Sequence, residues 1–221
     1  MRGIHIVMEH KKTWIMIASV IYIVIFIMNA MGLPRGVCDA GNHVFVAVSL
    51  GFCAVMWKET RDTLLLVFMI LTLAADILSG FPAVFGAGVA LFFASQIAMS
   101  LIIWRQNGGK HGWVIRALLI AAGLAGVYAM GLMNPFFGFG TVYLMWFLGN
   151  VIQALAAGEG LPAAFRVAMV IYFAADLCLI GNLLIPEGGL ISTLLTFGTW
   201  MPYLPAVLII ALSGRQLARR I

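Results

Sequence analysis

The sequence predicts an all-α fold: a single domain over 1–221, built as a bundle of eight transmembrane helices. Of the 221 residues, 63% are hydrophobic and only 10% are charged. The apolar residues come in blocks of roughly twenty, the length that crosses a hydrocarbon core. The links between blocks are too short to hold a separate soluble domain. A net charge of +5 would suggest nucleic acid in a soluble chain. Here Lys and Arg gather at block ends, so they report topology, and no nucleic-acid partner is expected.

In chain order the spans are 13–32, 43–57, 62–80, 83–104, 113–133, 139–157, 164–185 and 195–213. The first follows a basic stretch, Met1 to Lys12, and stays apolar for about twenty residues, so it reads as a retained helix and not as a cleaved leader. The second, opening at His43, is the shortest. The third carries Leu73-Ala74-Ala75-Asp76-Ile77. The fourth begins with Gly86 and Gly88, which read as close-packing positions because no strand precedes them and no Lys-Ser/Thr follows. The fifth starts beside Arg116, and the sixth holds Tyr143, Trp146, Asn150 and Gln153. The seventh carries Phe173-Ala174-Ala175-Asp176-Leu177, and the eighth contains Pro202 and Pro205.

The basic residues orient the bundle. Arg2, Lys11, Lys12, Lys58, Arg61, Arg105, Lys110, Arg116, Arg166, Arg215, Arg219 and Arg220 all fall on one side of an eight-span chain, and only Arg35 falls on the other. Both termini are therefore expected in the cytoplasm of a multi-pass cell-membrane protein. Spans 3 and 7 then run in the same direction, and at 1.5 Å per residue Asp76 and Asp176 both lie roughly 20 Å from the cytoplasmic side. Two pentapeptides four spans apart also suggest two parallel four-helix halves.

The two acids dominate the functional reading. An ionisable side chain inside an apolar span is costly, faces a bundle interior or a wet cavity, and marks function more often than architecture. Ala74-Ala75 and Ala174-Ala175 let another helix approach closely and bury each carboxylate between helices. Two such acids brought close together can share one proton, so that one donates while its partner acts as base. Ser95, Gln96, Tyr143, Trp146, Asn150, Gln153, Tyr172, Asn182, Thr199, Trp200 and Tyr203 are the polar groups that could accompany them, interhelical hydrogen bonding being the plainer role for any single one. Asn150 and Gln153 are three apart and share a helix face.

Other polar residues carry less. Trp57, Trp104 and Trp113 sit at span ends and read as an interfacial belt. Cys38, Cys53 and Cys178 have no metal-ligand spacing, and His5, His10, His43 and His111 lie near span ends or in loops, so neither metal nor cofactor is expected. His43, at the outer end of span 2, reads as an interfacial residue, with the lining of an entrance as the lesser alternative.

Eight spans with an Asp late in the third and another in the seventh resemble the YhhN family of integral membrane lysoplasmalogenases. Phe85, Gly88 and Phe92 match the family's fourth-span pattern in register. Asp176 stands at the Asp of its seventh span, with small Ala168 for its Gly, aromatic Tyr172 for its Phe and small Ala175 for its Ser, and Tyr203, Ala206 and Ser213 fall where its eighth tends to have Tyr, Ala and Ser. The resemblance covers roughly 60–213 and is that of a divergent member. Gln96 stands where the family has His, Met99 where it has Tyr, Ala75 where it has Gly, and Val207 where a Gln is common. Gln can orient a group but does not titrate, so an auxiliary is lost while the acid pair is kept.

The resemblance implies a hydrolase that cleaves the vinyl ether of a lysoplasmalogen to a fatty aldehyde and a glycerophospho-alcohol. Asp76 and Asp176 would be the catalytic acid and base, with Gln96, Tyr172, Tyr203, Asn150 and Gln153 as substrate-binding groups and a lysophospholipid as substrate among the membrane lipids. A proton-coupled carrier, or a lipid-binding protein without catalysis, uses the same acids and stays open at this point.

Overall fold

The computed structural model describes residues 2–31, 35–107, 112–185 and 189–218. Among these residues there are eight α-helices and no strand: α1 (Arg2–Ala30), α2 (Arg35–Thr60), α3 (Thr63–Ser79), α4 (Phe85–Asn107), α5 (Gly112–Ala129), α6 (Pro135–Ala156), α7 (Ala163–Leu184) and α8 (Leu190–Ala218). Short 3-10 turns, Pro82–Val84 and Gly158–Gly160, precede α4 and α7. Each of the eight apolar windows falls on one helix, residue 32 lying outside the described residues. Five helices are long and apolar enough to cross a membrane, through Phe85–Gln106, Gly112–Ala129, Pro135–Ala156, Ala163–Asn182 and Leu190–Ser213. The apolar stretches of the first three, Thr13–Asn29, Ala40–Val55 and Thr63–Ser79, are shorter. The side chains of Arg2, Lys11, Lys12, Arg35, Lys58, Lys110, Arg215, Arg219 and Arg220, and of His5, His10 and His111, lie outside the described part.

Local chemistry explains where the helix ends depart from the apolar windows. The polar stretch before the first window is itself helical, α1 starting at Arg2. Helix α5 stops at Ala129, not 133, because Gly131 adopts φ 70° and closes a Schellman end: its N–H reaches Tyr128 O at 3.0 Å and that of Leu132 reaches Val127 O at 3.1 Å. Helix α6 starts four residues before its window because Asn134 accepts from Phe137 N (3.0 Å) and Pro135 supplies a preset first turn. Asp62 caps α3 by accepting from Leu65 N, and its other oxygen takes Arg105 Nη2 at 2.6 Å, tying the start of α3 to the end of α4.

Two helical hairpins pack most closely. In α3–α4 a Cβ on Gly88 would come within 2.7 Å of Ser79 N and 3.1 Å of Ala75 O, so only glycine lets the helices meet one turn from Asp76. Gly86, expected in the same role, faces open space. In α7–α8 a Cβ on Gly198 would lie 2.7 Å from Cys178 Sγ. Helix neighbours repeat with a shift of four: α1 on α2, α2 on α3, α3 on α4 and α2 on α8 recur as α5 on α6, α6 on α7, α7 on α8 and α6 on α4.

Helix α8 runs through both Pro202 and Pro205. Pro205 has no N–H to offer Met201 O one turn back, and the Tyr22 hydroxyl of α1 donates to that carbonyl instead, at 3.0 Å. The helix thus stays continuous across Tyr203, whose side chain enters the core.

Candidate active site

Asp76 of α3 and Asp176 of α7 are 3% and 7% exposed. The alternating Ala residues beside them, Ala75 and Ala175, are buried too, so neighbouring helices close over both carboxyls. Tyr203 of α8 donates its hydroxyl to Asp76 Oδ2 at 2.6 Å, and Tyr143 of α6 donates to Asp176 Oδ2 in a short hydrogen bond. The two carboxyls are near enough for Asp76 to feel the charge of Asp176, and the Tyr172 hydroxyl feels both. Tyr172 packs edge-on against Tyr203 with centroids 5.0 Å apart and against Phe147 at 4.9 Å. Its hydroxyl is buried beside Thr72 Oγ1, on α3 one turn before Asp76, and beside the Tyr203 hydroxyl. Two acids, two donors that hold them and two further hydroxyls make a polar centre inside an apolar bundle. Such a centre can protonate one atom of a bound molecule, accept a proton from another and orient a hydroxyl between them.

Two of the positions that match the resembled family pack beside this centre. Phe92 stacks on Tyr143 (6.3 Å between centroids), Gly88 packs under Ala75, and Ala168, Ala206 and Ser213 are buried. His43 is half-buried, edge-on to Trp200 at 6.4 Å, and Trp200 packs on Tyr203 at 5.8 Å. The residue read as interfacial is therefore two rings away from Asp76.

The structure brings together Asp76, Asp176, Tyr172 and Tyr203 from the sequence-predicted set, and adds Tyr143, which sequence reasoning counts among the polar groups of its span but not among the site residues. It gathers Gln96, Asn150 and Gln153 at a second centre, around Arg116. Asn150 and Gln153 do share a face of α6, and it is turned to the guanidinium: Arg116 Nη2 donates to Gln153 Oε1 at 2.7 Å, to Asn150 Oδ1 and, at 3.3 Å, to Ser100 Oγ. Asn150 Nδ2 donates to Gln96 O and Gln96 Oε1 at 2.8 and 3.0 Å, and Ser100 Oγ to Asn150 Oδ1 at 2.7 Å. Trp104 and Trp146 lie over the guanidinium with ring centroids 5.4 and 5.2 Å from Cζ.

Two readings change as a result. Arg116, taken as a residue that only reports topology, is 1% exposed inside the bundle. Trp104, taken as part of an interfacial belt, covers that cation, while Trp113 stacks on Trp104 and Trp146 at 4.6 and 5.2 Å. The signal for Arg116 was its position a full turn inside the apolar run of α5, where a cation needs a reason to be.

No protein-family model matches the chain, and comparison with curated proteins and with solved structures returns no match either.

Proposed function

We propose that this chain is an eight-span, membrane-embedded hydrolase of the lysoplasmalogenase type, a divergent relative of the YhhN family, with both termini in the cytoplasm. The observation that carries the reading is the convergence of two buried carboxyls from α3 and α7, each receiving a tyrosine hydroxyl. Topological support comes from one end of the bundle, where Arg61 over Trp57, Arg105 on Asp62 and Arg116 under Trp104 all collect.

The chemistry runs on the acid pair. One carboxyl, protonated, delivers its proton to the outer vinyl carbon, and the adjacent carbon becomes an oxocarbenium ion. A water molecule adds to that carbon and gives a proton to the ionised partner, which also steadies the cation. The resulting hemiacetal collapses: its hydroxyl proton passes to one carboxylate, the glycerol oxygen takes a proton from the other carboxyl, and the bond between them breaks. One water is consumed, a fatty aldehyde and a glycerophospho-alcohol leave, and the pair returns to its starting protonation. Tyr143 and Tyr203 hold the carboxyl oxygens in place. Tyr172 and Thr72 offer hydroxyls to the water or the hemiacetal.

Release of free aldehyde from a lysoplasmalogen by the purified protein tests this, with Asp76→Asn and Asp176→Asn beside it. Absence of aldehyde from the native protein, or unchanged yield in both variants, would sink the assignment. One observation favours a carrier instead: helix packing repeats with a shift of four and puts an Asp on each equivalent helix, as in transporters with an axis along the membrane normal. Movement of lipid across sealed vesicles without cleavage would select that reading.

A further inference from the structure

The acid–base scheme leaves Arg116 unused. Among the described residues its guanidinium forms no ion pair; the one ion pair nearby joins Arg105 to Asp62. The oxygens of Gln153, Asn150 and Ser100 and the Gly112 carbonyl (3.0 Å from Nη1) solvate the cation without neutralising it. Two indole faces add attraction but no counter-charge. A buried charge with no opposite partner is costly, and an anion would relieve that cost. Nε has no acceptor among the described residues, and the side chain packs closely on α6, where a Cβ on Gly149 would come within 2.6 Å of Arg116 Cγ. Asn150 follows Tyr143 by two turns on the same face of α6, so the guanidinium and the acid pair stand about 10 Å apart along that helix.

We propose that Arg116 anchors the phosphate of a lipid head group, setting the lipid's depth so that its first glycerol oxygen reaches Asp76 and Asp176. This rests on the hydrolase reading and deepens it by naming the residue that holds the phosphate which such a substrate carries. With Nη1 and Nη2 turned to protein oxygens, Nε–H is the donor left for a phosphate oxygen, and such a charge-assisted bond is stronger than a neutral one. Two turns of helix suit a glycerophospho unit laid along α6 with phosphate at one end and enol ether at the other. Trp113, 52% exposed, stands at the outer edge of the cage. A purely architectural arginine would treat lipids with and without phosphate alike.

The test is binding, kept separate from turnover. Protein in detergent is titrated with a lysophospholipid whose chain is a saturated ether, with the matching alkylglycerol lacking phosphate, and with inorganic phosphate, using tryptophan emission as the readout. The phosphate-bearing lipid is expected to bind about tenfold or more tighter than the alkylglycerol. That preference should vanish in Arg116→Gln, shrink in Arg116→Lys and persist in Asp176→Asn. Equal affinity of the two ether lipids for the native protein overturns the proposal without any variant having to fold, and so does a preference that survives in folded Arg116→Gln. Inorganic phosphate binding as tightly as the lipid would overturn the head-group assignment in favour of a free anion. Phosphate preference with no aldehyde from a lysoplasmalogen would remove the hydrolase reading and leave the anchor standing.

Discussion

Two buried polar centres share helix α6 and are built in opposite ways. At the first, carboxyls of α3 and α7 receive hydroxyl donors from α6 and α8, and the Tyr172 and Thr72 hydroxyls lie beside them. At the second, a cation of α5 is surrounded by neutral acceptors of α4 and α6 and by indole faces. Acids and arginine could have neutralised one another, yet the only ion pair among the described residues, Arg105 with Asp62, belongs to neither centre. Charges kept apart in this way keep their capacity to act on a bound molecule, which under the proposals above means proton transfer at one centre and anion binding at the other. The contrast teaches that the donor and acceptor set around a buried charge, more than its burial, separates chemistry from binding.

The strongest way to break the comparison is at the carboxyls. Asp76→Asn and Asp176→Asn preserve shape and remove proton transfer, so aldehyde release is expected to fall by about a thousandfold while the thermal midpoint in detergent stays close to that of the native protein. A matching loss from Asn150→Leu would erase the distinction between the centres. Next come the donors: Tyr203→Phe and Tyr143→Phe each remove one hydroxyl from a carboxyl and are expected to lower kcat by about a hundredfold, with KM little changed. On the cation side, Gln153→Leu takes an acceptor from Arg116 and should lower stability by about 1 to 3 kcal/mol, read as a drop in melting temperature. The smallest effect concerns the path of α8 past Tyr203. Tyr22→Phe frees Met201 O and should cost about 1 kcal/mol, and in a Pro205→Ala background, where the helix regains its own N–H, the same change should cost less; equal costs in both backgrounds would show that the hydroxyl does not replace the missing bond.

The acid pair was legible because cost makes it conspicuous: Asp76 and Asp176 stand alone in long apolar runs, and nothing but burial between helices accommodates them. Tyr172 and Tyr203 were among the polar groups of their spans, the resemblance pointed to them again, and they do lie at the acids. Tyr143 was named among the polar groups that could accompany the acids but not among the site residues, because a tyrosine in a span can sit at an interface or in a core, and one helix alone does not say which neighbour it meets. Asn150 and Gln153 were correctly put on one face of a helix, but a face has no address until its neighbours are known. Here that face meets α5, and its partner is Arg116. Arg116 itself was hidden by a rule that explains it too readily, since a basic residue near a span end is ordinarily a topological signal.

By itself the sequence determined that the chain is helical and apolar in eight blocks, that two acids sit deep in corresponding blocks, and that small residues beside them invite close packing, because composition, block length and the cost of a charge are local properties. The tertiary structure decided which side chains meet: that Tyr143 and Tyr203 hold the acids, that Gln96, Asn150 and Gln153 turn to a cation, and that α8 keeps its course past two prolines with help from α1. In a bundle whose outward and inward faces are both apolar, helical periodicity does not say which side is covered, so partners across helices are fixed only by packing.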